Sequence, residues 1–298
     1  MTLLALVLVL VAAALHATWN YWAKRAGGGL PFVYLVGIII CTGYVPVVAV
    51  YCHFHYTPWS WSIAGAIVVS GVLKTSYSLF LQRGYRTGDF SLIYPLARGT
   101  GPLLSATGAM LLFRERPSAV AITGGVAIVV AIFWVAGGHR WLSQLRSPRL
   151  LADKARLHSR QAVFYGITTG IFIAAYTLWD KRAVSHLLIA PLLYDAGTAY
   201  TQLVLLSPLA WRRRAEVARE WREHRLNAFI MAATAPVGYI LILTAMKFTA
   251  VSYVAPAREV SILIGLFFGA RFLNEREARN RFWAALVMFG GLIALAVG

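Results

Sequence analysis

Acidic residues are scarce in this chain. Only 11 of its 298 residues are Asp or Glu, against 28 Lys or Arg, and charged residues of both signs make up 13%. Soluble domains carry about 25% charged residues. Together with 59% hydrophobic residues and a mean hydropathy of +0.66, this scarcity excludes an ordinary soluble domain and indicates an integral membrane protein.

Cysteines and catalytic signatures are equally scarce. Cys41 and Cys52 are the only cysteines, and along one helix they would lie about 16 Å apart, too far for a disulfide. Cys52, His53 and His55 supply too few ligands for a closed metal site. The phosphate loop ending in Gly-Lys-Ser/Thr, HExxH and GxSxG are all absent. We therefore expect no metal, no cofactor and no enzymatic activity.

Long apolar segments are present instead. A segment of about 20 apolar residues crosses roughly 30 Å of hydrocarbon. Ten such segments occur, at 3–23, 31–51, 61–82, 89–113, 118–138, 161–180, 187–210, 227–246, 250–273 and 281–297. The alternating pattern of an outer-membrane barrel is absent. The expected fold is an all-α membrane protein with ten transmembrane helices.

The net charge of +17 is spread over the loops, so a basic surface for nucleic acid is not expected. If loops alternate between two sides, one side carries 20 Lys or Arg and the other carries 5. We call these the basic end and the non-basic end. Because basic loops stay in the cytoplasm, this bias predicts both termini outside, in a protein of the cell inner (plasma) membrane.

The chain repeats at an offset of 160 residues. Residues 1–138 then align with 161–298, and Arg98 falls on Arg258. Five segments in each copy would invert the second copy relative to the first. We expect two inverted five-helix repeats joined by a basic linker at 139–160, an architecture typical of secondary transporters that work by alternating access.

Small residues recur at every fourth position in three segments. They are Gly101, Ser105 and Ala109 in the fourth segment, Gly166 and Gly170 in the sixth, and Gly265 and Gly269 in the ninth. Such spacing lets helix backbones approach closely. We expect the fourth and ninth segments to pack together, and the sixth to pack through its own pair.

Arg98 lies at hydrocarbon depth within Tyr94–Pro102, a stretch interrupted by prolines and glycines. A charge there costs roughly 2.5 to 3.5 kcal/mol or more, so it must face protein or water. The backbone groups freed by proline are tolerated only where they line a cavity or where neighbouring helices satisfy them. Val254–Glu259 repeats the device, with Pro256 ahead of Arg258.

The charges at depth have two interpretations. Arg98 and Lys74 are expected to contact an acidic group of a substrate, because a guanidinium suits carboxylate or phosphonate, while Arg258 is expected to be held by an acid. Adjacent helical residues diverge by about 100°, so Arg258 and Glu259 should find other partners. The alternative is that all these charges pair internally and serve folding alone.

Two triplets at spacing i, i+3, i+4 align in the repeat: His16, Trp19 and Asn20 in the first segment, and Tyr176, Trp179 and Asp180 in the sixth. Each triplet shares one helix face. We interpret these faces as walls of a cavity, with an interfacial aromatic belt as the alternative.

The residues expected to bind substrate are Arg98, Lys74, His16, Trp19, Asn20, Tyr94, Tyr176, Trp179, Asp180 and Arg258. Proton coupling would need a titratable group, and Glu259, Asp195 and His16 are the candidates, although an exchanger or uniporter fits equally well. The stretch 211–226 reads either as a basic helix lying on anionic headgroups or as a solvated loop.

These motifs resemble the EamA family of the drug/metabolite transporter superfamily. The resemblance rests on His16–Asn20 with Lys24 beyond it, and on proline-bearing fourth and ninth segments that end in Glu115 and Glu275. It implies ten helices, an inverted repeat and a central cavity. It also implies cytoplasmic termini, the opposite of what the loop charges predict. The Tyr94–Pro102 stretch resembles members associated with amino-acid or phosphonate metabolism.

The expected function is therefore secondary active transport of a small polar metabolite, zwitterionic or anionic, such as an amino acid or a phosphonate. An organic-cation or drug exporter and a lipid-carrier flippase are the alternatives. The expected partners are the substrate and the lipid bilayer, and the expected state is a monomer or homodimer.

Overall fold

A computed structural model describes residues 1–26, 29–57, 59–87, 90–135, 153–262 and 278–298. Within these ranges the chain forms ten α-helices and no strand. In chain order they are α1 Leu3–Arg25, α2 Leu30–Phe54, α3 Trp61–Thr87, α4 Phe90–Leu112, α5 Ala119–Val135, α6 Asp153–Ser185, α7 Pro191–Trp211, α8 Arg214–Phe248, α9 Val251–Arg258 and α10 Ala278–Val297. Each helix overlaps one predicted segment, so the all-helical prediction is confirmed.

Several helices suit a membrane by length and composition. Four described helices contain spans long and apolar enough to cross it, and two shorter apolar helices accompany them: Leu3–Ala23, Leu30–Phe54, Trp61–Gly84 and Arg214–Phe248, then Ala119–Trp134 and Leu286–Val297. Large apolar side chains on the outside, such as Leu4, Leu111 and Val204, are more than 60% exposed. An exposed apolar surface of this kind suits lipid tails.

The first five helices pack mainly on the last five. The contacts come in matched pairs, α1 on α8 with α3 on α6, and α2 on α8 with α3 on α7, while α2 meets α7, α4 meets α9 and α5 meets α10. The Met1 amine donates to the Ala296 carbonyl oxygen at 3.4 Å. Both termini therefore lie at one end of the molecule.

The glycine pair of α6 packs against α4. A Cβ on Gly170 would lie 1.8 Å from the Thr100 Oγ1, and a Cβ on Gly166 would lie 2.7 Å from the Leu96 Cβ. A side chain at either position would drive the helices apart, so the expected packing of this pair is confirmed.

The fourth segment also meets the ninth. Ala109 of α4 is fully buried and packs with Val251 and Ala255 of α9. The α4–α9 contact is therefore confirmed for the described part of α9. Gly265 and Gly269, the other half of the expected glycine match, lie outside the described residues.

Proline and glycine have different effects in α4 and α9. Helix α4 runs without interruption through Pro95–Pro102, and its Gly101 accommodates Ile173 of α6. Helix α9 instead ends at Arg258, and Glu259 enters a turn by donating its backbone N–H to the Pro256 carbonyl oxygen at 3.0 Å. The irregular backbone expected near both arginines is thus found beside Arg258 only.

Two stretches predicted as polar connections prove partly helical. Helix α6 begins at Asp153, so residues 153–160 of the expected linker extend it, whereas 139–152 lie outside the described residues. Of the stretch 211–226, residue 211 ends α7 and residues 214–226 form the first turns of α8, with non-helical backbone at His224 (φ −128°, ψ 18°). The solvated-loop interpretation is therefore wrong for residues 214–226, while contact of this helix with anionic headgroups stays a prediction.

Candidate functional site

Four side chains meet between α1, α4 and the end of α9, and we call them the arginine cluster. They are His16 of α1, Arg98 of α4, Arg258 at the end of α9 and Glu259 just beyond it. The Arg98 Nη1 donates to both Glu259 oxygens, at 3.1 Å to Oε2 and 3.4 Å to Oε1. The Glu259 side chain is 1% exposed and that of Arg98 is 14% exposed. A buried charge needs a partner, and Arg98 finds one in the other half of the chain.

Arg258 also contacts this carboxylate, but without a hydrogen bond. Its Nε lies 3.5 Å from the Glu259 Oε1 but makes no hydrogen bond, although the residue is only 6% exposed. Arg258 and Glu259 were expected to find separate partners: Glu259 does so in Arg98, but for Arg258 the expectation is wrong, because its ion-pair contact is with Glu259. Helix α9 has ended at Arg258, so the angular separation of neighbouring helical residues no longer applies.

The arginines therefore differ from what we expected of them. Arg98, expected to be the freer group, makes the hydrogen-bonded ion pair with Glu259. Arg258, expected to be locked to an acid, makes an ion-pair contact, and its side chain donates no hydrogen bond to any residue that the structure describes. Two guanidinium groups facing one carboxylate leave the cluster with one positive charge in excess.

His16 completes this cluster as an acceptor. The Arg98 Nη2 lies 2.7 Å from the His16 Nε2. A guanidinium has donors only, so Nε2 must accept and the imidazole is neutral. The ring also meets Trp19 edge-on, with centroids 4.7 Å apart. Asn20 donates to the His16 carbonyl oxygen at 2.8 Å and so bonds within its own helix.

A second group of polar side chains surrounds Asp180, and we call it the lysine cluster. Its members are Ser70 and Lys74 of α3, Asp180 of α6, Tyr194 and Thr198 of α7, and Tyr239 of α8. The Lys74 Nζ lies 3.3 Å from the Asp180 Oδ2, donates to the Thr198 Oγ1 at 3.1 Å, and stands 4.2 Å from the Tyr239 ring centroid.

The Asp180 carboxylate is fully buried and fully partnered. The Ser70 hydroxyl donates to Oδ1 at 2.5 Å and the Tyr194 hydroxyl donates to the same oxygen at 2.7 Å. The Tyr239 hydroxyl donates to Oδ2, which also faces Lys74. Three hydroxyl donors and one ammonium saturate this carboxylate, and such an arrangement holds helices together.

Asp195 directly follows Tyr194 of the lysine cluster and precedes its Thr198 by about one helical turn. The Tyr44 hydroxyl of α2 donates to its Oδ2 at 2.5 Å, and its backbone carbonyl oxygen accepts from the Thr198 Oγ1 at 3.0 Å. Its carboxylate is buried, as an acid held at depth must be.

The two triplets expected to form cavity walls contribute to different clusters. His16 joins the arginine cluster and Asp180 the lysine cluster, while the Trp179 Nε1 donates to the Ala66 carbonyl oxygen of α3 at 2.9 Å. Tyr176 is buried and meets Tyr77 edge-on at 5.8 Å. The side chain of Tyr94 lies outside the described part of the chain.

Sequence reasoning missed the hydroxyl groups that partner these charges. Tyr44, Tyr194 and Tyr239 all lie inside apolar segments, and a buried tyrosine hydroxyl usually needs a partner. These tyrosines were therefore a signal, present in the sequence, that polar partners lie at the same depth. It could not identify the partner, because Tyr239 and Asp180 are 59 residues apart.

Contacts close the non-basic end of the molecule. The Glu115 carboxylate, beyond α4, accepts the backbone N–H groups of Val251 and Ser252 at 2.8 and 2.9 Å and so caps α9. The Lys181 Nζ donates to the carbonyl oxygens of Met246 and Thr249 at the end of α8. The cap on α9 joins the first five helices to the last five.

The described residues contain no group of three His, Cys, Asp or Glu side chains able to hold a metal ion. Their buried charged side chains belong to the two clusters, apart from Asp195, which is held by Tyr44. The apolar exterior, the helices and these buried charges together define a multi-pass membrane protein.

Comparison with known proteins gives the family. Residues 160–297 match the EamA-like transporter family. This family is part of the drug/metabolite transporter superfamily, the match covers the second half of the chain, and members of the family are membrane transporters. A search of curated proteins found no match.

A solved structure described as "Crystal structure of protein" has the same fold. It aligns with a TM-score of 0.72 and 13% sequence identity, covering 98% of each chain. At that identity the likeness speaks for the fold alone.

Proposed function

We propose that this chain is a secondary active transporter for a small polar organic metabolite, zwitterionic or anionic, such as an amino acid or a phosphonate. Its family supports the transport class. The arginine cluster supports the substrate class, because an acidic group is the ligand that a surplus guanidinium at membrane depth would bind.

One observation carries the proposal. Arg98 and Arg258 converge on Glu259, and Arg258 is 6% exposed without its side chain donating a hydrogen bond to a described residue. Leaving buried donors of a charged group unsatisfied is costly. A substrate carboxylate or phosphonate arriving beside Arg258 would accept these hydrogen bonds and neutralise the surplus charge.

Alternating access is the mechanism we propose, with residues 1–138 and 161–298 as inverted repeats in the inner membrane. The matched packing of α1 on α8 and α3 on α6 supports this arrangement, because a two-fold relation exchanges such pairs. In this mechanism the Glu115 cap on α9 holds the non-basic end closed, and it must release when that end opens.

An organic-cation exporter is less well supported. The position that suits an ammonium group, beside Asp180 and over the Tyr239 ring, holds the protein's own Lys74. A substrate cation would have to displace it. The buried site is thus biased towards substrates that carry an acidic group.

We propose His16 as the proton-coupling group among His16, Glu259 and Asp195. Its neutral Nε2 accepts from Arg98, so a proton arriving at that nitrogen would break the contact and release the guanidinium. Flux of protons and of substrate, followed together with a pH-sensitive dye in proteoliposomes, tests this. In His16→Gln, whose side chain does not titrate, substrate should still equilibrate without moving protons.

The experiment for the substrate class begins with thermal-shift screening of the purified protein against amino acids, phosphonates and amines. The best ligand is then compared with its decarboxylated amine for uptake into proteoliposomes. Arg98→Gln should abolish uptake of the acidic compound. Arg182→Gln, which removes an exposed arginine near the end of α6, is the matched control and should transport normally.

Preference for the decarboxylated amine, retained by Arg98→Gln, would overturn the acidic-substrate proposal in favour of cation export. A reporter fused after Gly298 tests orientation separately. An inactive cytoplasmic reporter is expected from the loop charges, and an active one would instead give the cytoplasmic termini that the family resemblance implies.

A further inference from the structure

A groove outside the two clusters opens where α7 ends and α8 begins. Its volume is about 460 Å³. Its lining residues include Leu35, Trp211, Arg214, Val217, Ala218, Trp221 and Arg222. The walls are apolar and aromatic, and the only charged groups among the lining residues are the two arginines.

The two arginines of this groove lack carboxylate partners. The Arg214 guanidinium stands 5.6 Å from the Trp211 ring centroid, and the Arg222 Nε donates only to the Ala218 carbonyl oxygen of its own helix at 3.3 Å. Neither forms an ion pair with an acid in the described residues. Of the nearby acids, Glu220 faces His224 instead, at 4.0 Å.

The position of the groove between two predicted spans suits a lipid headgroup. The stretch 211–226 separates two predicted spans at the basic end, and its Trp211 and Trp221 are 73% and 43% exposed. Tryptophan and arginine together are typical of the level where headgroups meet tails. The non-helical backbone at His224 separates this part of α8 from the remainder.

The chemistry of the groove selects one class of occupant. A free anion would satisfy the arginines but leave the apolar walls in water, and a neutral lipid would cover the walls but leave both cations unpaired. An anionic phospholipid does both. Anionic lipids also enrich the cytoplasmic leaflet, which is where the charge bias places the basic end.

We propose that this groove binds an anionic phospholipid, with its phosphate between Arg214 and Arg222 and the first carbons of an acyl chain along Leu35 and Val217. This site is separate from the transport pathway. Its function would be to hold the start of α8 against the membrane surface, and it does not depend on which substrate is carried.

The test is native mass spectrometry of the delipidated full-length protein, titrated with phosphatidylglycerol, phosphatidylcholine or inorganic phosphate. We expect saturable binding of phosphatidylglycerol alone. The double variant Arg214→Gln/Arg222→Gln should weaken it by roughly 30-fold, given about 1 kcal/mol for each basic residue near an anionic lipid.

The matched control is Arg219→Gln/Arg225→Gln, which removes the same charge from exposed positions that do not line the groove. It should bind as the parent does. A second variant, Ala218→Trp, fills the groove without changing charge and should lose phosphatidylglycerol binding as well. Thermal unfolding of each variant verifies that it has folded.

Three results would overturn the proposal. Equal losses in both double variants would mean diffuse attraction by the basic end as a whole. Phosphate binding as tightly as the lipid would mean a site for a soluble anion. Phosphatidylcholine binding as tightly as phosphatidylglycerol would mean an apolar groove that ignores charge.

Discussion

The arginine cluster and the lysine cluster bury the same kinds of charge but partner them differently. Around Asp180 both oxygens accept hydrogen bonds, and Lys74 faces a carboxylate, a hydroxyl and an aromatic ring. Around Glu259 two guanidinium groups share one carboxylate, and the Arg258 side chain donates no hydrogen bond to a described residue. Charge at membrane depth therefore does not by itself mark a binding site. In a structural cluster the donors and acceptors satisfy one another, whereas a cluster that can bind a ligand keeps donors without acceptors.

Asp180→Asn should have the largest effect on stability. It leaves the Lys74 ammonium buried without its carboxylate, and breaking a buried pair costs about 3 to 5 kcal/mol. Denaturant unfolding of the purified protein measures this loss. The double variant Lys74→Met/Asp180→Leu, which removes both charges, should recover much of it. If Asp180→Asn unfolds like the parent but no longer transports, the lysine cluster belongs to the binding site.

Arg98→Gln should have an intermediate effect on stability. It removes the charged hydrogen bonds to Glu259 and the contact with His16, but Arg258 remains beside the carboxylate. We expect the free energy of unfolding to fall by about 1.5 to 3 kcal/mol. In Arg98→Lys, which keeps the charge but not the planar guanidinium, the free energy of unfolding should fall less. A loss as large as that of Asp180→Asn would mean that Arg258 does not compensate.

Tyr239→Phe should lower the free energy of unfolding by less than Arg98→Gln does. Asp180 keeps its two other hydroxyl donors, and the Lys74 ammonium still lies over an aromatic ring. The expected loss is about 1 kcal/mol, the usual worth of one hydrogen bond. Uptake in proteoliposomes should be close to that of the parent. Abolished uptake with unchanged stability would place Tyr239 in contact with substrate.

Arg258→Gln should have the smallest effect on stability and a large one on transport. No hydrogen bond is lost and Glu259 keeps Arg98, so the free energy of unfolding should change by less than about 1 kcal/mol. Uptake of an acidic substrate should fall by roughly 30-fold or more, because its charged partner is gone. Marked destabilisation with normal uptake would make Arg258 a structural group and remove the contrast between the clusters.

Much of the fold could be predicted because a membrane helix is recognisable from its own continuous run of apolar residues. Helix α2, at Leu30–Phe54, contains the whole predicted segment 31–51, and Gly166 and Gly170 identified a packing face from their spacing. Arg98 and Lys74 stood out because a charge within an apolar run is rare. Their partners did not stand out, since Glu259 is 161 residues from Arg98 and no local pattern joins them.

The sequence by itself determined where helices form and which charges lie at depth. Only an apolar segment of sufficient length can span hydrocarbon, and a charged residue within such a segment is easily recognised. Tertiary structure alone decided that α9 ends at Arg258 while α4 continues, and that Asp180 is saturated while Arg258 is not. The physical reason is that a hydrogen bond depends on which helix faces meet. Those faces are brought together by packing across the whole chain, which the local pattern of residues does not contain.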